Sequence, residues 1–344
     1  MTGDALKLTI YFGERDRAGD AFLADALAGV YARHRVRSSL VMRGTEGFGA
    51  KQQLRTDRLL TLSEDLPLVS VAVDAPERIE AALRDVEALR FDGLVTLERA
   101  RVPAAPSDAL GDGDATKLTV YLGRHERVAG RPAHEAVVAL LHSRGVAGAT
   151  VLLGIDGTAR GVRQRARFLG RNAAVPLMVI SVGAGDRMAG VLPALDAMLD
   201  LPLVTVERVR VCKRDGVRLA PPRPLPEEGV WHKLTVFAGE QSPYRGRPLS
   251  GQLVRALREA GAAGATSLRG VWGYHGDHAP HGDVWWQLRR RVPVVTTVVD
   301  TPARSRRWFE IVDELTAETG LVTSEMVPVA RPWTAREREP RANP

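Results

Sequence analysis

The segment RGTEGFG (43–49) leaves an alternating apolar run and carries Gly44, Gly47 and Gly49. Glycines this close let successive backbone N–H groups converge on an anion, with no Cβ to hold a phosphate away. Glu46 inside the turn and Arg58 in the segment after it complete the candidate ligand set in this stretch. The first two glycines return as Gly154 and Gly157, and again as Gly270 and Gly273. Recurrence excludes chance but leaves two readings open, a phosphate-binding nest or a shared turn that needs positive φ. A Walker A loop is excluded, because no Gly-Lys-Ser/Thr follows.

The stretches after the three turns diverge. The first, KQQLRTDRLLTLSEDLP (51–67), ends in Ser63, Glu64 and Asp65, whereas the second carries Arg163, Arg165, Arg167 and Arg171, and the third Arg289, Arg290 and Arg291. Arg163 and Arg289 are candidates to hold phosphate through the bidentate guanidinium fork. The alternative, slightly favoured, is that these arginines meet acids such as Glu64 and Asp65 across an interface. Either way, three sites built from these stretches are chemically unequal.

His275, Asp277, His278 and His281, with Asp283, crowd into VWGYHGDHAPHGDVWW (271–286). Imidazole and carboxylate at such spacing suit a divalent transition metal, and the same residues are also common in turns. Trp272, Tyr274, Trp285 and Trp286 suit either an exposed stacking surface or a plug where domains meet. No nucleophile elbow, no His-Glu-x-x-His and no histidine partner for Cys212 can be found, so the reading is non-enzymatic. Glu98, Glu207 and Glu325 recur on equivalent segments, and pairing with Arg or Lys across a sheet suits them better than general-base work.

Three sets of these residues require three copies of whatever positions them. Lys-Leu-Thr opens an alternating segment at Lys7, Lys117 and Lys233, and a proline follows the glycines at Pro67, Pro176 and Pro293, each time opening a β-branched run. Each copy reads β-α-β-β-α-β. In the first, LKLTIYF (6–12) has the period of a strand, Leu23, Leu27 and Val30 form a helical stripe, and Ile79, Leu83 and Val86 another. Asp74 stands where an N-cap would precede Pro76. This order is the split βαβ, ferredoxin-like arrangement, whose second sheet face must be solvated or buried. Lys7, Thr9 and Tyr11 on that face suit packing against two further sheets. The expected fold is therefore α+β, with three tandem ferredoxin-like domains (1–102, 115–211 and 231–330) in an intramolecular pseudo-threefold trimer. Linkers span 103–114 and 212–230, and 331–344 is a flexible tail.

KLTIYFGERDR, MRGTEGFG and LLTLSEDLPLVSVAVD together resemble the PII-like family known as domain of unknown function 190. The second and third copies keep the first strand, the second strands with Gly148-Ala149-Thr150 and Gly264-Ala265-Thr266, and the Gly-x-x-Gly turn. The resemblance implies adenine nucleotides (ATP, ADP or AMP) in interdomain clefts. It also implies mobile loops after strand two, here 44–66, 154–175 and 270–292, that control a partner such as a transporter or enzyme. Such proteins assemble from three chains, so this one is expected to be a monomer acting as a trimer. The related divalent-cation-tolerance proteins supply the metal-responsive alternative.

The chain has 344 residues, a formal charge of +7 and a sequence pI near 10.0. Lysine supplies only five of its 48 basic residues, and neither a basic-aromatic stripe nor a zinc-finger spacing accompanies them, so nucleic acid is not the expected partner. A single cysteine, the absence of a long apolar run and an N-terminus without a basic leader fit a cytoplasmic protein without membrane insertion.

Overall fold

The computed structural model describes residues 3–49, 52–57, 65–103, 115–165, 175–200, 202–223, 229–275, 280–282 and 292–333. The first unit runs β1 (Gly3–Gly13), α1 (Leu23–Arg33), β2 (Ser38–Arg43), β3 (Glu46–Phe48), β4 (Pro67–Asp74), α2 (Pro76–Ala88) and β5 (Leu94–Val102). In its sheet β1 is central, antiparallel to β4 (Tyr11 opposite Val69) and to β5 (Lys7 opposite Glu98), with β2 on the far side of β4. The helical stripes face this sheet. Leu23, Leu27 and Val30 of α1 and Ile79 and Val86 of α2 close a core over Leu8, Ile10, Val41 and Ala72.

The second unit repeats the order as β6 (Ala115–Gly123), α3 (Ala133–Ser143), β7 (Gly148–Leu153), β8 (Asp156–Ala159), β9 (Val162–Arg165), β10 (Pro176–Ala184), α4 (Gly185–Met198) and β11 (Leu203–Arg214). The third has β12 (Val230–Gly239), α5 (Leu249–Glu259), β13 (Ala265–Arg269), β14 (Trp272–His275), β15 (Pro293–Asp300), α6 (Pro302–Leu315) and β16 (Leu321–Arg331). Among the described residues the fold is thus a mixed α/β structure of six helices and one large antiparallel sheet system, written three times. None of those helices is long and apolar enough to cross a membrane.

Period two sends the alternate side chains of each first strand to the face without helices, where the other two units cover them. A separate core joins Tyr11, Met42 and Val69 of the first unit to Tyr121, Leu152 and Met178 of the second and to Leu268 and Val299 of the third. An antiparallel sheet normally leaves one face to water, and here that face is buried on its copies.

The units also exchange strands. β3 pairs with β13 of the third unit, β14 with β7 of the second, and β8 with β2 of the first, so each unit lends one strand and receives one. The closing strands complete a second cycle, through Arg101 opposite Val206, Arg210 opposite Ser324, and Val329 opposite Thr96. Such additions gain main-chain hydrogen bonds at edges that would otherwise stay open.

Several sequence expectations change. Asp74 does not cap α2; the cap residue is Ala75, and the Asp74 carboxylate accepts instead from the amides of Ala75 (2.8 Å) and Arg37 (2.7 Å), tying the strand end to the start of β2. The stretch 212–230 is not all linker, because β11 runs to Arg214 and pairs with β16, which carries Cys212 into the third unit's core. Nor is 331–344 all tail: Arg331 ends β16 and the Trp333 ring packs between Gly49 and Gly264, while 334–344 lie outside the described residues. The segments expected as loops begin with exchanged strands rather than with free chain.

Candidate functional site

The recurring Gly, Gly and Pro are parts of one contact. Gly44, Gly154 and Gly270 donate their amides to the carbonyls of Pro67, Pro176 and Pro293 at 2.8, 2.9 and 2.7 Å. The next amides, of Thr45, Ile155 and Val271, donate across to Ser267, Val41 and Val151 of neighbouring units at 2.9, 2.7 and 2.9 Å. Of the two readings the sequence left open, these amides fit the shared turn, since the glycine amides are taken by the proline carbonyls of their own units and the next amides by neighbouring units. The second glycine is required by close approach: a Cβ on Gly157 (φ +153°) would lie 2.0 Å from the Ser39 carbonyl oxygen, and one on Gly273 (φ +152°) 2.1 Å from that of Ala149.

Where the three sheets face one another, Lys7, Lys117 and Lys233 alternate with Glu98, Glu207 and Glu325. Cross-strand register places each lysine beside its own unit's glutamate, at 2.7 Å for Lys7–Glu98, 2.9 Å for Lys117–Glu207 and 3.8 Å for Lys233–Glu325. Each lysine also reaches the next unit's glutamate: Lys7 meets Glu207, Lys117 meets Glu325, and Lys233 meets Glu98 at 2.9 Å. The six side chains, all 10% exposed or less, thus close an alternating ring. Burial alone would lower the lysines, but Glu207, Glu98 and Glu325 outweigh it and all three ammonium groups are raised above their ordinary value. Burial would likewise raise Glu98 and Glu207, but the facing lysines hold both below the usual carboxylate range. Each of the three glutamates is paired with lysines of two units, so they serve as links across the interfaces. The three carboxylates do converge closely enough to suggest a metal ligand set. The interleaved ammonium groups already supply the positive charge, so the donor set does not fit a cation.

Around this centre lie three clefts, one between each pair of units, each lined by the end of a first strand and by the second strand of a neighbour. The first, about 470 Å³ and open to solvent, joins Gly13 and Asp16 to Thr266 and includes Phe48, Arg55 and Trp333. The second, about 350 Å³, joins Gly123 and Glu126 to Arg37 and Ser38 beneath Arg160. The third, about 570 Å³, joins Phe237 and Ala238 to Gly148 and Ala149, with Ser181, Arg214, Tyr274 and His275. Arg55 is held by Asp65 at 2.7 Å and Arg160 by Asp200 at 3.3 Å. Arg214 is exposed at the rim of the third cleft and makes no ion pair among the described residues. Among the described residues, that cleft combines mainly apolar walls with a guanidinium that makes no ion pair.

Of the candidate ligand residues, Gly49 reaches the first cleft and His275 the third, while Gly44, Gly47, Gly154, Gly157, Gly270 and Gly273 build strand exchange. Glu46 is 3% exposed and sits 2.9 Å from where a Gly251 Cβ would stand, in the first turn of α5, so it belongs to the seam between the first and third units. Arg163 bridges Asp156 (2.6 Å) and Asp25 of the first unit (3.1 Å), and Arg165 joins Asp25 at 2.9 Å. Of these acids, Asp25 lies across the interface, where the sequence reading named Glu64 and Asp65, and Asp156 belongs to the arginines' own unit. Arg58, Asp277, His278 and Arg289 lie outside the described residues, as do Glu64, Arg167, Arg171, Asp283, Trp285, Trp286, Arg290 and Arg291. His275 and His281 lie on separate short strands facing Gly148 and Gly273. Tyr274 is neither a surface nor a plug of the centre: it is 2% exposed in the second unit's core and donates to the Val146 carbonyl at 2.7 Å. Arg214 was hidden in the sequence because it stands in what reads as linker.

The comparisons with known proteins follow the same threefold division. The family DUF190, described as an uncharacterised ACR, matches at residues 5–102, 115–211 and 231–329. A UPF0166 protein of Aquifex aeolicus (strain VF5) is 30% identical over 96 residues, which cover 28% of this chain and 90% of that protein, so the relative is similar to a single unit. Among solved structures, an aspartate kinase from Synechocystis aligns with 94% of this chain and 44% of its own at 14% identity and a TM-score of 0.25, a likeness too slight to carry an argument. Three successive matches spanning each βαββαβ unit make this chain a member of the DUF190 family, with three copies of the family's domain in tandem.

Proposed function

We propose that this protein is a non-enzymatic, PII-like regulator: a ferredoxin-like pseudo-trimer within one chain that binds a small anionic ligand, an adenine nucleotide, between its units. The observation that carries the reading is the third cleft, where the half-buried Phe237 and Ile180 offer apolar surface for a planar ring and Arg214, without an ion pair among the described residues, offers charge for phosphate. Family membership supports it, as does the βαββαβ order of every unit. The first and second clefts, whose arginines already face acids, would bind more weakly. Partner control would act through the segments after β3, β8 and β14, where the three copies differ most in sequence, with ligand contacts favouring one state of those segments and so one partner state. The partner would be a transporter or an enzyme.

Calorimetry with ATP, ADP and AMP tests the reading. Binding of one nucleotide with fewer than three equal sites, weakened at least tenfold by Arg214→Ala, is expected. No heat with any of the three at millimolar concentration would exclude the nucleotide.

A further inference from the structure

The space enclosed where the three sheets meet is about 640 Å³, part of it open to solvent, and it is separate from the clefts. Its floor is the charge ring, with Lys7, Lys117 and Lys233 among its lining residues. One level above stand the hydroxyls of Thr9, Thr119 and Thr235, and above them Tyr11, Tyr121 and Phe237, in the order that strand register dictates. Met42, Val69, Leu152 and Met178 make much of the wall apolar. This level also divides the space from the clefts, because Tyr11 lines the first cleft as well, Tyr121 the second and Phe237 the third.

Two features suit this space to a ligand. The three copies do not line it equally: the third unit places Phe237 where the others have tyrosine, and Thr297 where they have Val71 and Ile180. Its surface is therefore asymmetric, as a small asymmetric molecule requires and as an evenly packed junction does not. In addition, Thr235 is 4% exposed and its hydroxyl has no hydrogen-bond partner among the described residues. Buried polar groups are ordinarily satisfied, so an unspent hydroxyl in a lined cavity points to a polar contact from outside the chain.

We propose that the central cavity is a second ligand site, for an uncharged small molecule with an apolar body and one hydroxyl or carbonyl end directed to the Thr235 level. The charge restriction follows from the ring beneath, where three ammonium groups balance three carboxylates. A ligand carboxylate or ammonium would add an uncompensated buried charge. An occupant would press on Tyr11, Tyr121 and Phe237 and so be felt in all three clefts. The proposal stands whether or not the clefts take nucleotide.

Cyclohexanol, cyclohexanecarboxylate and cyclohexylammonium share one body and differ in charge, and can be titrated into the full chain carrying methyl-labelled methionine. Met42 and Met178 line the cavity, Met188 lies in the second unit's own core, and Met326 is exposed. Cyclohexanol is expected to shift Met42 and Met178 saturably while Met188 and Met326 stay still, and the two ions to need at least tenfold higher concentration. Val71→Phe should abolish the response, and Arg214→Ala should leave it unchanged. Absence of a saturable shift at Met42 and Met178, an equal shift at Met188, or ions that bind as well as cyclohexanol would overturn the proposal. If Val71→Phe fails to fold, the wild-type methionine pattern still decides.

Discussion

Lys233 in the third unit donates to Glu98 in the first at 2.9 Å, across 135 residues of sequence and with both side chains buried. Two equivalent contacts link the remaining units, so no unit can leave without stranding a charge. A lysine at each point is physically apt, because a compact ammonium with three rotatable donors can serve two carboxylates at once, whereas a planar guanidinium presents a fixed fork. In a chain that otherwise uses arginine almost throughout, three of the five lysines stand here.

Lys233→Met removes one cation from between Glu98 and Glu325 and should destabilise the chain by about 3–5 kcal/mol, the usual loss when a buried pair loses one partner. Lys233→Arg should also lose stability, through crowding and fork geometry. Urea unfolding monitored by circular dichroism measures both, and a loss under ~1 kcal/mol for Lys233→Met would mean that the ring does not hold the units.

The ring also sets a pH window. Raised lysines contribute fully below the ordinary lysine value of 10.5, and that contribution fades as pH climbs from there toward their raised values. Lowered Glu98 and Glu207 contribute fully above the ordinary 4.5, and theirs fades as pH falls toward their lowered values. The stability gap between wild type and Lys233→Met should therefore stay constant from about pH 6 to pH 9 and narrow in acid below the ordinary carboxylate range. Melting temperatures across that range provide the check.

Glycine substitutions separate strand exchange from ordinary helix propensity. Gly273→Ala drives a methyl into the Ala149 carbonyl and should cost about 1–3 kcal/mol. Gly190→Ala, in α4 with nothing within 4 Å of the new methyl, should instead add about 0.5–1 kcal/mol. Chemical denaturation of the two variants should move in opposite directions.

Cys212 is buried in the third unit's core, and burial pushes its thiol up to about 12. A thiol-specific reagent at pH 8 should leave the native chain unmodified and label it once on unfolding. Rapid labelling of native protein would place the end of β11 elsewhere.

The threefold division was legible because contact fixes spacing. Gly44, Gly47 and Pro67 touch one another or the same neighbouring strand, so their offsets could not drift independently among the copies. Glu98, Glu207 and Glu325 could be read as paired, but not as one ring, because each also meets a lysine that only tertiary structure brings near. Trp333 and Arg214 went unread as cleft residues because both stand in stretches with the composition of linkers. Arg163 was ambiguous for a different reason: a guanidinium suits phosphate and aspartate equally, and only the position of Asp25 on α1 decides between them.

Sedimentation equilibrium of the intact chain tests ring closure most directly. A ring completed within one chain predicts a single species of 37.4 kDa whose mass does not change with concentration. A dominant particle of three chains would contradict it.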